Sequence, residues 1–168
     1  RTRARNVSLD ADFEAMHGAT QTALAALLMR RYMHAYGLEL SAFEGFSMNA
    51  HANGARNPNA MFRNTLKPGG FARAPMIADP VNLFDSAPDG DGAAAVILTS
   101  VERAADLVPQ PVRITGSAGA TDKLALHDRA DLLYLNAAQR SAEKALAQAS
   151  LQLDDVSLFE LHDEYTVI

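Results

Sequence analysis

Ser157-Leu158-Phe159-Glu160-Leu161-His162-Asp163-Glu164-Tyr165 decides how this chain is read. A short, mainly apolar run ends abruptly in four polar, mostly ionisable residues, His162 to Tyr165. An open α/β sheet delivers chemistry in this way, because a buried strand carries polar groups to its carboxyl end, where ligands sit. A strand is therefore expected over residues 156–161, with a site just beyond it. A sheet seldom ends on its most reactive residues, so the chain is expected to be a piece of a longer protein.

Composition bounds the classes available. The chain has 168 residues, 48% of them hydrophobic and 21% charged, which suits a buried core and argues against disorder. The net charge is -5, and Arg1, Arg3 and Arg5 form the one basic cluster. Three arginines at a terminus read as a solvated end, so no nucleic-acid partner is expected. There is no cysteine. Thiolate metal sites, disulfides and thiol nucleophiles are excluded within this stretch. No apolar run approaches the roughly 18 residues of a membrane span, and no signal-peptide pattern opens the sequence. The expectation is a cytoplasmic protein with no membrane contact.

Working back from the quoted stretch, the order is α, α, loop, β, β, α, β. A helix is expected from about Thr20 to Tyr36, with Leu24, Leu27, Leu28, Tyr32 and Ala35 on one face and Gly37 as its stop. Ser41 and Glu44 have capping-box spacing and open a second helix through about Asn53, with Phe43, Phe46 and Ala50 inward. Residues 55–92 hold Pro58, Pro68, Pro75, Pro80 and Pro88 and show no periodicity, as in a functional or partner-packed segment. Ala93–Ser100 is apolar without alternation, like a strand covered on both faces. A helical turn over Val101–Leu107, a strand over Val112–Ser117 and an Ala-rich helix over Leu133–Ser150 follow. In that last helix Ala138, Ala142, Ala145, Leu146 and Ala149 form the packing face. Pro109 and Pro111 mark a boundary between two sheet-bearing halves.

Most polar clusters have plain readings. Asp89-Gly90-Asp91-Gly92 lacks the later acidic ligand of a calcium loop and reads as a turn. Asn49, His51, Asn53, Asn57 and Asn59 end a helix, where turn chemistry competes with ligand contact. His17, His34 and His127 read as surface residues. The six methionines read as packing residues. The glycines lack phosphate-loop spacing. His162 and Asp163 are adjacent on an extended chain and point to opposite faces, so they are not expected to share a metal ion. His162 can instead donate to an oxyanion or hold a water.

Three segments, in order, resemble thiolases of the sterol-carrier-protein and archaeal type. They are "LLMRRYMHAYGL" followed by "NAHANGARNPNAMFR", then "IADPVNLFDSAPDGDGAAAVIL", then "LFELHDEYTVI", which is similar to an HDAF-type motif. The resemblance covers nearly the whole chain from about Asp12. It implies a layered α/β/α/β/α fold of two similar halves, of which this chain would be a fragment. Residues 1–108 would be the end of the N-terminal half, with the insertion covering the acyl-CoA site. Residues 109–168 would begin the C-terminal half.

The resemblance also implies an activity. Relatives make or break a carbon–carbon bond next to a thioester, as acyltransferases of lipid metabolism. They use coenzyme A as substrate or product with no other cofactor. They usually form homodimers, and some work with a small OB-fold protein. His162 matches the catalytic histidine that helps organise an oxyanion hole. Asp163 matches an acidic neighbour, and Asn53, Asn57, Asp163 and Tyr165 would border the substrate. Glu164 and Tyr165 depart from the usual Ala-Phe. Tyr165 adds a hydroxyl and Glu164 a charge, which leaves room for a thiolase-like aldolase or lyase on a steroid or lipid acyl-CoA, or for a non-catalytic acyl-CoA-binding scaffold. The nucleophilic cysteine and the Gly-His-Pro histidine of such enzymes would lie outside this stretch.

Overall fold

A computed structural model describes residues 6–168, so the three arginines at positions 1, 3 and 5 lie outside the described residues. The chain falls into two compact units. The first runs through Asp89 and takes in Lys123–Tyr134 and Leu161–Ile168; the second comprises Gly90–Asp122 and Leu135–Glu160.

In the first unit, helix α1 covers Gln21–Tyr36, matching the sequence expectation. Its residues are mostly good helix formers. Thr20 sits in extended backbone and accepts the Ala23 N–H at 3.1 Å, relieving one of the unpaired donors of the first turn. Gly37, at φ 61°, closes the helix by donating its N–H to the Met33 carbonyl. The buried face matches the expected one only in part, sharing Leu28 with it while Leu24 and Tyr32 are half-buried. Ala25, Ala26, Leu28 and Met29 are buried, whereas Leu27 is 61% exposed and Ala35 also points outward. The reason is close packing, since the small Ala25 and Ala26 let the helix approach a β-hairpin beside it.

A 3₁₀ turn over Leu40–Phe43 runs into helix α2, Glu44–Gly54. The expected capping box does not form. Ser41 lies inside the 3₁₀ turn, and Phe43 enters α2 with helical backbone and no side-chain cap. Phe43 and Ser47, one turn apart, face inward, while Phe46 and Ala50 are exposed. The Ser47 hydroxyl donates to the Phe84 carbonyl at 2.7 Å, which explains why a polar residue takes the inward position. Gly54 is the last residue of α2 and has another use. A Cβ there would sit 3.0 Å from the Phe62 carbonyl oxygen.

Within the segment that lacked periodicity, β1 (Met76–Ala78) pairs antiparallel with β2 (Val81–Asn82), Met76 opposite Asn82 and Ala78 opposite Val81. Strands of three and two residues are too short to print an alternation in sequence. The core joins Ala25, Ala26 and Met29 of α1 to Phe43, Phe71, Val81 and Tyr165. Met29 and Val81 are fully buried, and each such side chain contributes roughly 1.5–3 kcal/mol.

The second unit holds helices α3 (Val101–Leu107) and α4 (Asn136–Ala149), both expected. The α4 face is only partly covered: Ala145, Leu146 and Ala149 are half-buried, and Ala138 and Ala142 are exposed. Gly116 passes so close to α4 that a Cβ would overlap the Ala145 carbonyl oxygen. The neighbouring Ser117 N–H donates to Gln148 Oε1 at 2.7 Å.

The three strands expected over residues 93–100, 112–117 and 156–161 do not form among the described residues. A strand needs a neighbour to satisfy its backbone groups and a layer to cover its side chains. These segments have neither: Val96, Ile97, Val112 and Leu158 are 83%, 88%, 94% and 76% exposed. Among the described residues the regular structure consists of helices, 3₁₀ turns and one small hairpin.

Candidate functional site

The first unit contains a cleft of about 260 Å³. Its apolar walls come from Leu9, from Leu24, Ala25 and Leu28 of α1, from Leu124 and Leu126, and from Ile168. Its polar groups are Ser8, Glu14, Gln21, Arg129, His162, Glu164 and the edge of Tyr165. An apolar cleft with a few convergent polar groups is the usual form of a small-molecule site.

The terminal segment that supplies three of those polar groups is firmly held. Ser86 and Tyr165 form an antiparallel bridge. The Ala87 N–H donates to the Glu164 carbonyl at 2.8 Å, and the Thr166 N–H donates to the Asp85 carbonyl at 3.0 Å. The Thr166 hydroxyl donates to Asp85 Oδ1 at 2.5 Å, while Asp85 Oδ2 accepts the Asn82 N–H at 3.0 Å. Asp85 is 2% exposed. Burial pushes its carboxyl above the usual range, and the Thr166 and Asn82 hydrogen bonds pull it part of the way back. Tyr165 adds a further tie through its hydroxyl, 2.9 Å from Thr22 Oγ1 on α1.

Glu14 closes another side of the cleft. It is buried, and its two carboxylate oxygens accept the N–H groups of Asp10 and Leu126 at 2.9 and 3.0 Å. A buried carboxylate is tolerable when so bonded. Arg129 is half-buried and donates Nε–H to the Lys123 carbonyl at 3.3 Å. No hydrogen bond or ion pair within the described residues engages the Glu164 carboxylate or the His162 imidazole.

The residues singled out in sequence divide clearly. His162 and Tyr165 line the cleft together. The Tyr165 ring is in the core and its hydroxyl is engaged by Thr22. Asp163, between them, is exposed and does not line the cleft. Asn53 and Asn57 are exposed at the end of α2, also away from it. Asn57 Oδ1 accepts the Asn59 N–H at 2.9 Å, so its side chain makes a turn. Glu14, Arg129 and Asp85 were missed. Asp85 left one legible signal, since Asn82 three residues before it forms a capping box with it. Among the described residues no group of three or more His, Asp or Glu is arranged to hold a metal ion.

The Thiolase C-terminal domain-like family matches residues 118–168. An acetyl-CoA acetyltransferase of Methanothermobacter thermautotrophicus is 35% identical over 166 residues, which is 99% of this chain and 43% of that protein. The chain is thiolase-like. This thiolase-like chain is also 31% identical to the 17-hydroxy-3-oxo-4-pregnene-20-carboxyl-CoA lyase of Mycobacterium tuberculosis, over 97% of its own length and 44% of the lyase. It therefore spans less than half the length of these curated relatives. The solved Ltp2-ChsH2(DUF35) aldolase superposes with a TM-score of 0.85 at 24% identity, over 95% of this chain and 45% of that one, which is a likeness of fold.

Proposed function

We propose that the thiolase-like chain is part of an acyl-CoA enzyme that makes or breaks a carbon–carbon bond next to a thioester. The observation that carries this reading is the lining of the apolar cleft by His162, on a segment held in place by Ser86 and Asp85. An imidazole N–H at the exposed rim of this cleft, with no partner among the described residues, can donate to the negative charge that develops on a thioester oxygen when its α-carbon becomes nucleophilic. The similarity to an acetyl-CoA acetyltransferase agrees with that chemistry.

In the whole protein, residues 1–108 would close one thiolase half and residues 109–168 would open the next. The exposed apolar segments over residues 93–100, 112–117 and 156–161 would then be strands of the layered fold, covered by their sheet neighbours. Asp163 would hold the loop that follows His162, and Asn53 and Asn57 would border the channel by which coenzyme A enters. A homodimer and a small protein partner remain part of the proposal. A second reading, carbon–carbon cleavage by a thiolase-like lyase, is favoured by Glu164 and Tyr165 and by the similarity to a CoA-ester lyase.

The test is direct. The intact protein is incubated with acetoacetyl-CoA and free CoA, and with β-hydroxyacyl-CoA esters, and acyl-CoA products are followed by mass spectrometry. His162→Ala should slow turnover by about 10²–10³-fold, as for loss of one oxyanion donor. Full activity of that variant, or no turnover of any ester by the unaltered protein, would refute the proposal.

A further inference from the structure

Resting on the acyl-CoA reading, we infer that a second pocket beside the cleft selects esters whose acyl chain ends in a carboxylate, held there by Arg31 and Arg129. The pocket has a volume of about 310 Å³. Leu126 and Arg129 line both it and the cleft, so the two hollows share a wall. Helix α1 continues that wall. Gln21, Leu24, Ala25 and Leu28 face the cleft, and Arg31, three residues past Leu28, carries the same face one turn on into the pocket. The terminal segment meets α1 near its start, where the Tyr165 hydroxyl is 2.9 Å from Thr22 Oγ1. Arg31 stands further along the helix by about 14 Å, at the ordinary rise per residue. An ester with its thioester beside His162 can therefore lay its chain along Leu24 and Leu28 and bring its far end to the arginines.

The charges of the pocket suit one carboxylate. Arg30 and Arg31 are adjacent but used differently. Arg30 is spent on Asp79, donating to its carboxylate and its carbonyl. Arg31 has no hydrogen bond or ion pair among the described residues and lines the pocket. Arg129, half-buried, uses its Nε–H on the Lys123 carbonyl at 3.3 Å and keeps both terminal nitrogens free. The remaining polar side chains are engaged elsewhere. His127 Nε2 lies 3.4 Å from Asp128 Oδ1, and its ring packs edge-on against Phe13. Asp131 Oδ1 accepts the Leu133 N–H at 2.9 Å. With His127 neutral, two guanidinium groups against the Asp131 carboxylate leave a single positive charge on the lining.

A planar carboxylate matches the guanidinium fork and balances that charge. The phosphates of coenzyme A carry more negative charge than the pocket can offset. Leu126 and Leu132 also offer apolar wall to the methylene groups that precede a terminal carboxylate, and none of that helps a hydrated phosphate.

The experiment measures binding to the intact protein by calorimetry, with saturated esters that lack the β-oxygen needed for carbon–carbon cleavage. Adipyl-, suberyl- and sebacyl-CoA are compared with hexanoyl-, octanoyl- and decanoyl-CoA, their counterparts without the second carboxylate. At one or more chain lengths the carboxylate should tighten binding by about 10–100-fold, as for hydrogen bonds between charged groups. Arg31→Gln, at an exposed position of α1, should bring that preference toward parity, and Arg129→Gln should act in the same direction. Arg31→Lys keeps the charge without the fork and should retain part of the preference. Equal affinity within every pair of esters for the unaltered protein would overturn the inference while sparing the acyl-CoA reading. An undiminished preference in Arg31→Gln would also overturn it. So would an equal weakening of both members of each pair by that variant, which would put the phosphates of coenzyme A at the arginines. Binding of no ester at any length would sink the acyl-CoA reading and this inference with it.

Discussion

Replacing Asp85 tests what holds the cleft together. Its carboxylate accepts two hydrogen bonds in a site 2% exposed, one from the Asn82 backbone and one from the Thr166 hydroxyl. Asp85→Ala strands both donors, and each unpaired buried group costs about 1–3 kcal/mol. Against this, removing a carboxylate whose burial is uncompensated in part relieves some strain at neutral pH. A net loss of about 2–4 kcal/mol is expected near pH 7.

The pH dependence is the sharper observable. Burial raises the folded-state carboxyl above its ordinary value of 3.8, so the folded protein binds the proton more tightly than the unfolded chain. The stabilisation from that proton is fully present below the ordinary value and is lost as pH rises through the folded value. The unaltered protein should therefore exceed Asp85→Ala by more in the acid window than at pH 7. Each unit of upward displacement corresponds to about 1.4 kcal/mol. Urea unfolding of both proteins across the acid range, at constant ionic strength, measures the difference. A gap that stays flat, or narrows on acidification, would refute the reasoning. It would mean that the two hydrogen bonds balance or outweigh burial in setting this carboxyl.

Two further substitutions probe helix ends in the two units. Thr20→Ala removes the acceptor for the Ala23 N–H and should cost about 1 kcal/mol of stability, measured by chemical unfolding; no change would mean that the cap is idle. Ser150 closes α4 in the left-handed region at φ 57°, which costs an L side chain energy that glycine avoids. Ser150→Gly should raise stability by a few tenths to about 1 kcal/mol, seen as a higher melting temperature, and a fall would count against this account.

The helices were legible because their signals are local. Thr20, Gly37 and the Ala-rich run before Ser150 mark their own ends. Buried faces were less so, because they depend on what lies opposite. Ala25 faces inward where Leu27 was expected, since the neighbouring hairpin rewards small side chains, and Ser47 displaces Phe46 because a carbonyl of Phe84 awaits it. The strands over residues 93–100, 112–117 and 156–161 were inferred from apolar content alone. Pairing is a property of two segments, and no single segment encodes it. His162 was found because chemistry at the end of an apolar run is visible in sequence. Glu14 and Arg129 were not, since they reach the cleft from segments remote in the chain from residue 162.

The terminal segment carries the consequence furthest. The run before it forms no strand, and the segment itself bends at Glu164 and turns at Thr166 and Val167; His162, Glu164, Tyr165 and Ile168 line the cleft, and Tyr165 and Val167 also pack on the core. The Ser86 bridge and the Asp85–Thr166 hydrogen bond hold this turn in place. Asp85 is thus linked to the choice of groups in the cleft without lining it. Because Tyr165 belongs to both the core and the cleft wall, a change that loosens Asp85 should disturb the cleft lining and the packing around Tyr165 together.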